Sequence, residues 1–225
     1  MGVLIAGGTG ALGSAVTREL VEAGHHCALT WVVDRELERA QSAFGDSVDF
    51  VHADLLDPDG AAGAVDAVPE LEAVVDLVGG FATTGLVHET DPAEFDRLLR
   101  LNLAPAFNLA RAAMPRLVES GGGAFVAVSA RAALRPFGGA AAYITAKAAV
   151  LAFVQALDAD YRSQGIRANA ILPSVIDTPA NRADQPDADY SKWVPPEEIA
   201  RVVRFLVSDD ARVTSGAAIP VYGRA

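Results

Sequence analysis

Short apolar runs alternate with amphipathic stretches from one end of the chain to the other. The apolar runs are GVLIAG (2–7), HCALTWVV (26–33), SVDFVHA (47–53), LEAVVDLVG (71–79), GAFVAVSA (123–130), IRANAILP (166–173) and GAAIPVYG (216–223). Between them the spacing predicts helices at Leu12–Ala23, Asp34–Phe44, Asp57–Ala67, from Asp91 towards Leu117, at Ala141–Arg162 and at Pro196–Ser208. Asp91 stands before Pro92, a pairing suited to a helix start. Strands that are apolar throughout, separated by helices, imply a parallel sheet covered on both faces. The expectation is a doubly wound α/β fold, Rossmann-like, with one domain over residues 1–225 and its ligand crevice at the carboxyl ends of the strands. The longest irregular stretch is rich in Pro and Asp, and residues 177–195 read as a lid over that crevice.

Composition narrows the partners. The chain has 225 residues, is 51% hydrophobic, and carries a formal charge of −11. A net negative surface repels nucleic acid and anionic membrane, so neither is expected as a partner. No apolar run approaches about 20 residues, the length a spanning helix needs. No leader is read at the N-terminus, and the expected location is cytoplasmic. The single cysteine, Cys27, lies in an apolar run. No Cys or His cluster has metal-ligand spacing, so no metal is expected.

The first turn carries candidate chemistry. Gly7, Gly10 and Gly13 recur every three residues between the first strand and the first helix, in GGTGALG. Such a turn brings backbone close to a pyrophosphate, and the following helix N-terminus offers free N–H groups to it. Thr9, Ala11 and Leu12 belong to the same expected cradle. An acid at the end of the second strand would hold a ribose diol and favour NAD, but Thr30 and Trp31 occupy those positions. Arg35 can meet a 2′-phosphate, which leans the choice to NADP over NAD; the other reading of Arg35 is a solvated helix residue. Asp34 either arrives late for the ribose or caps the next helix. Asp54, followed by Leu55, either accepts from an adenine amino group or caps a helix. Gly79 and Gly80 would let backbone pass close to the adenine ribose.

Tyr143 and Lys147 stand four apart on a predicted helix and share a face. A phenol ordinarily loses its proton near pH 10, and a neighbouring ammonium lowers that value. A tyrosine so placed can protonate the oxygen formed when hydride adds to a carbonyl.

These features together resemble the short-chain dehydrogenase/reductase family along essentially the whole chain. The resemblance rests on GGTGALG, Asp54, DLVGG, Asn102 in RLNLAPAF, the strand ending in Ser129, the Tyr143/Lys147 pair, and PSVIDTP after the sixth strand. It implies Tyr143 as acid/base, Lys147 as holder of the nicotinamide ribose, and Asn102 as organiser of a proton-relay water. It also implies a serine orienting the substrate carbonyl, and Pro173, Val175, Ile176 and Thr178 around the nicotinamide carboxamide. Three positions depart from the family pattern. Asp76 replaces the usual Asn at the end of the fourth strand, and Ser174 replaces a Gly. The serine expected 13 residues before the tyrosine is Ala130, with Ser129 one residue further away. Either the intervening loop is longer and Ser129 serves, or no serine does.

A narrower likeness, in GGTGALGS, ARAAL and DTPANRADQPDADYSKWVPPEE, is to the dihydropteridine-reductase-like branch. It implies a reductase acting on a carbonyl, imine or quinonoid, pterin-like small molecule. Phe81, Arg135, Tyr190 and Trp193 are candidate substrate contacts, each equally readable as packing. Two other activities use the same scaffold: a non-redox isomerase or cyclase, and a dinucleotide-binding regulator that senses cofactor. The resemblance also implies a homodimer or homotetramer, paired through the two long helices.

Overall fold

The computed structural model describes residues 2–224. One sheet holds β1 (Gly2–Ala6), β2 (His26–Trp31), β3 (Val48–His52), β4 (Leu71–Asp76), β5 (Gly123–Val128), β6 (Ile166–Pro173) and β7 (Ala218–Val221). The order is β3-β2-β1-β4-β5-β6-β7, with every pair parallel. The helices are α1 (Ala11–Glu22), α2 (Asp34–Phe44), α3 (Pro58–Asp66), α4 (Pro92–Glu119), α5 (Ala141–Tyr161), α6 (Pro179–Asp184) and α7 (Pro196–Val207). The architecture is the single-domain, doubly wound parallel sheet that the alternating pattern predicts.

Strand side chains alternate between faces, and each face has its own core. Val3 and Ile5 of β1 pack with Val16 and Leu20 of α1 and Ile199 and Val203 of α7. Leu4 and Ala6 point the other way, into a cluster with Val65, Leu109, Met114 and Val150 of α3, α4 and α5. Both faces of β1 are buried, which is why the strand reads as a continuous apolar run. Each fully buried Leu or Ile contributes roughly 1.5–3 kcal/mol. Cys27 lies buried in β2, and burial pushes its thiol up to about 12.

Asp91 accepts the Ala93 N–H at 2.9 Å and starts α4, with Pro92 in the first turn. The helix then runs through Pro105 and Pro115 to Glu119. Contrary to the expectation from sequence, one segment, Ala141–Gln164, is long and apolar enough by composition to cross a membrane. Its apolarity has a packing reason: α5 lies against α4 and the sheet, with Val150, Val154 and Leu157 in the core.

Connections from β1 lead to one side of the sheet and those from β4 to the other, so the strand order reverses between them. Ligands bind in this type of fold at the carboxyl ends of the strands flanking that point. The segments there are Gly7–Gly13 after β1, Leu77–Gly80 after β4, Ser129–Ala130 after β5 and Ser174–Thr178 after β6.

Candidate active site

The turn after β1 is built by three glycines, and they are not the periodic three. Gly7 has φ 73°, the left-handed region where glycine is favoured, and its N–H donates to Thr30 Oγ1 at 3.1 Å. A Cβ on Gly8 would lie 2.8 Å from Leu29 Cδ2, and one on Gly13 would lie 2.6 Å from Gly8 Cα. A Cβ on Gly10 would meet only the Gly7 carbonyl, at an ordinary 3.4 Å. The steric demand therefore falls on Gly7, Gly8 and Gly13 rather than Gly10. Gly10 instead caps α1 without a side-chain bond, and the first turn, from Ala11 and Leu12, has no acidic residue. Its N–H groups are open to an anion. This cradle, which added side chains would fill, fits the pyrophosphate of a dinucleotide.

Thr30, at the place where a ribose-binding acid was looked for, is buried and holds the turn. Thr9 Oγ1 donates to Glu36 Oε2 at 3.3 Å, which sets a carboxylate of α2 beside the turn. Sequence reading passed over Glu36 because nothing local links it to Thr9. Arg35 is exposed in the same first turn of α2, and Asp34 is the first helical residue, with Val33 as cap. Asp54 is exposed, and its Oδ1 accepts the Leu56 N–H at 2.9 Å. Asp57 caps α3. Leu55 is buried and its carbonyl accepts from Asn108 at 2.9 Å.

Across the crevice, α5 carries Tyr143 and Lys147. Lys147 is buried, and its Nζ donates to the Val128 carbonyl at 2.9 Å. Asn102 is buried on α4 and clasps Gly80: its Oδ1 accepts Gly80 N–H at 3.2 Å and its Nδ2 donates to Gly80 O at 3.1 Å. Nδ2 also donates to Leu98 O at 2.9 Å. Gly79 closes this group, since a Cβ there would sit 2.5 Å from Asn102 Oδ1 and 2.8 Å from Lys147 Nζ. A Cβ on Gly80 would meet Leu101 Cδ2 at 2.7 Å. The glycines after β4 thus make room for Lys147, Asn102 and Leu101.

Ser129 does not face this group as a carbonyl-orienting serine would. Its buried hydroxyl donates to the Lys147 carbonyl at 2.7 Å, fastening α5 to the end of β5. Ala130, next along, is buried and offers no hydroxyl. The active-site serine considered from sequence is therefore Ser129 only by position; its side chain points into the helix backbone.

Electrostatics also differ from the simple pair. Burial pushes Tyr143 up to about 12, with no offsetting pull from a cation. Burial draws Lys147 downward, while Asp76 pushes it back up. Asp76 is itself pushed up by burial, against a hydrogen bond from Val78 N–H at 3.1 Å and the Lys147 charge. Tyr143 is thus a firmly protonated phenol. Phe81, half exposed, sets its ring edge-on to Tyr143, with centroids 5.0 Å apart.

The 177–195 segment contains α6 and is pinned at its base. Val194 N–H donates to Val175 O at 2.9 Å and Asp177 N–H to Val194 O at 2.8 Å. Ile176 O accepts from Thr178 N–H at 2.9 Å and Asn181 Nδ2 at 2.8 Å, and Thr178 Oγ1 caps α6 by accepting from Asn181 N–H at 3.2 Å. A cavity of about 470 Å³ lies between Ala11 at the head of α1 and Asp177, Thr178, Pro179 and Arg182 of this segment. Two candidate substrate contacts, Tyr190 and Trp193, find partners within this segment. The Tyr190 hydroxyl donates towards Pro186 O at 2.9 Å, its ring packs on Trp193 at 4.7 Å, and Trp193 is buried. Arg135 lies over the Tyr222 ring, 5.9 Å from its centroid, alongside Arg131 at 5.3 Å. Pro173 ends β6, and Ser174 Oγ donates to Tyr222 O at 2.9 Å. Of the four candidates, Phe81 alone packs on Tyr143 among the described residues.

Known proteins resemble this chain in sequence and fold. A family model described as enoyl-(acyl carrier protein) reductase matches residues 7–223. The 2-(R)-hydroxypropyl-CoM dehydrogenase of Xanthobacter autotrophicus is 31% identical over 240 residues, covering 98% of this chain and 96% of that protein. The 3-oxoacyl-[acyl-carrier-protein] reductase MabA of Mycobacterium bovis is 28% identical over 232 residues, covering 98% and 91%. The solved structure of a short-chain type dehydrogenase/reductase from Mycobacterium ulcerans superposes with a TM-score of 0.93 at 28% identity, covering 99% of this chain and 88% of that one. With the glycine cradle, the buried lysine and the protonated tyrosine at one crevice, this places the chain in the short-chain dehydrogenase/reductase family, as an NAD(P)-dependent oxidoreductase.

Proposed function

We propose that the protein reduces a flat, conjugated small molecule, a carbonyl, imine or quinonoid ring of pterin type, in the manner of the dihydropteridine-reductase-like branch. The observation that carries this reading is Tyr143: a phenol kept protonated by burial, edge-on to Phe81, with Ala130 where an orienting serine would stand. Bound NAD(P)H supplies the hydride. The open N–H groups of α1 would hold its pyrophosphate, and Lys147, for whose Nζ Gly79 leaves room, would hold the ribose hydroxyls. Tyr143 O–H delivers the proton, so hydride and proton complete a two-electron reduction. Near neutral pH the phenol is in the protonated form that can give a proton, although burial makes it hold that proton more tightly than a free phenol does. A conjugated acceptor spreads its developing charge over the ring, which reduces the need for a serine hydroxyl. Phe81 offers the aromatic wall that a flat ring packs against.

Cofactor choice is set by two opposed groups on the first turn of α2. Arg35 favours a 2′-phosphate, while Glu36, held beside the turn by Thr9, repels it. The result is a weak preference for NADP.

The test is a panel of simple ketones, imines and quinonoid dihydropterin, run with NADPH and NADH, alongside direct cofactor titration by fluorescence. The conjugated acceptor is expected to be reduced fastest, with net cofactor oxidation. Tyr143→Phe should lose about 10²–10⁴-fold in turnover while binding cofactor nearly as well. No oxidation of either cofactor by any acceptor would remove the reductase reading. Full turnover in Tyr143→Phe would remove the proton-donor assignment alone.

A further inference from the structure

Asp76 is a carboxylate at the end of β4, 2% exposed, in a parallel sheet buried on both faces. Val74 points into the core shared with α4 and α5, whereas Ala73 and Val75 point to the α1/α7 side. By the two-residue period of a strand, Asp76 faces α4 and α5. Lys147 of α5, 5% exposed, comes down onto the same place. Its Nζ reaches the carbonyl of Val128, the residue after the one paired with Asp76 in the neighbouring strand. The same Nζ lies 2.8 Å from the position a Gly79 Cβ would take, three residues along the chain from Asp76.

An ammonium removed from water at this depth favours release of its proton, and a single hydrogen bond to a neutral carbonyl does not offset that. The neighbours on every side are accounted for. Ala6 of β1 and Ala127 of β5 pair with Asp76, α4 contributes the neutral amide of Asn102, and α5 contributes Lys147. Among the described residues, Lys147 is the one charge acting on Asp76, and Asp76 the one acting on Lys147.

We propose that Asp76 is a positioning residue for Lys147: its buried carboxylate keeps that side chain an ammonium in a desolvated site, ready to grip the cofactor ribose beside Tyr143. The role of Lys147 rests on the reductase reading above; the charge coupling does not. Where the family resemblance puts a neutral amide, Asp76 puts an ionisable carboxyl at the buried end of β4, on the side from which Lys147 approaches.

Lysine NMR isolates the effect, because Lys147 and Lys192 are the two lysines of the chain. With ¹³Cε-labelled lysine and Lys192→Arg for assignment, both midpoints are read from pH titrations of the folded protein without substrate or cofactor. Lys147 should titrate below the exposed Lys192. In Asp76→Asn, which keeps an acceptor for Val78 N–H, the Lys147 midpoint should fall further, by at least about one pH unit. An unchanged or raised midpoint overturns the proposal. Should Asp76→Asn fail to fold, the wild-type curve decides: the Lys147 resonance should show a second inflection in acid as Asp76 takes up its proton, and a single-step curve overturns it. Where a substrate supports turnover, the alkaline limb of kcat/KM should move down with the lysine midpoint. A missing activity would speak against the reductase reading and leave the NMR result standing.

Discussion

Gly79→Ala adds one carbon at the most crowded point of the site. The backbone there does not occupy the left-handed region, so alanine adds no conformational strain and the perturbation is steric alone. The new Cβ would stand 2.5 Å from Asn102 Oδ1 and 2.8 Å from Lys147 Nζ, short of ordinary 3.4 Å contact by about 0.9 and about 0.6 Å. Asn102 has little freedom to yield, because its amide is fixed by bonds of 3.2, 3.1 and 2.9 Å to Gly80 and Leu98. Lys147 yields more readily at the end of its flexible stem, at the expense of its 2.9 Å bond to Val128 O. Overpacking of this kind costs about 1–3 kcal/mol, and misplacing a reacting group by about 1 Å costs about 100-fold in rate. Urea unfolding should therefore show a midpoint decrease at unchanged slope. The kcat/KM for reduction should fall about 100-fold, with cofactor affinity from fluorescence titration falling alongside. A Gly79→Ala enzyme within threefold of wild type in both rate and affinity would refute the placement of Lys147 and Asn102 around this glycine.

Glu36→Gln removes the carboxylate that Thr9 holds beside the turn. Paired titrations with NADPH and NADH should show NADPH affinity improving several-fold relative to NADH, the order of a charge effect worth about 1 kcal/mol near the surface; an unchanged ratio would detach Glu36 from cofactor choice. Arg116 of α4 donates to the carbonyls of Val65, Val68 and Pro69, closing the end of α3 and the loop to β4. Arg116→Ala should destabilise by about 1.5–3 kcal/mol, the range for bonds to a charged group, as read by urea midpoint; a change below about 0.5 kcal/mol would mean that water replaces the guanidinium without loss.

Much of the architecture was legible because it is local or periodic. Strands buried on both faces had to be apolar runs, and Asp91–Pro92 marked the start of α4 through its own side chain. The cradle was visible in outline, but Gly8 was missed, because the need for glycine there comes from Leu29 on the neighbouring strand. The same limit applies to every long-range partner. Nothing near Ser129 in sequence says that its hydroxyl meets the backbone of Lys147. Nothing near Tyr143 says that burial, rather than a nearby ammonium, sets its proton affinity. Tyr190 and Trp193 pack on each other within the 177–195 segment, a contact that aromatic character alone cannot separate from substrate stacking.

The lid is secured through main-chain groups at Val175, Asp177 and Val194. Helix α5, which carries Tyr143, is secured elsewhere, to β5, by Ser129 and Lys147. These two attachments share no residue. Side chains between the anchor points of the 177–195 segment can therefore change without touching the bonds that hold α5 to β5. On the proposed reading, substrate range and reaction chemistry would be heritable separately, since changes in the 177–195 segment would leave Tyr143 where it is.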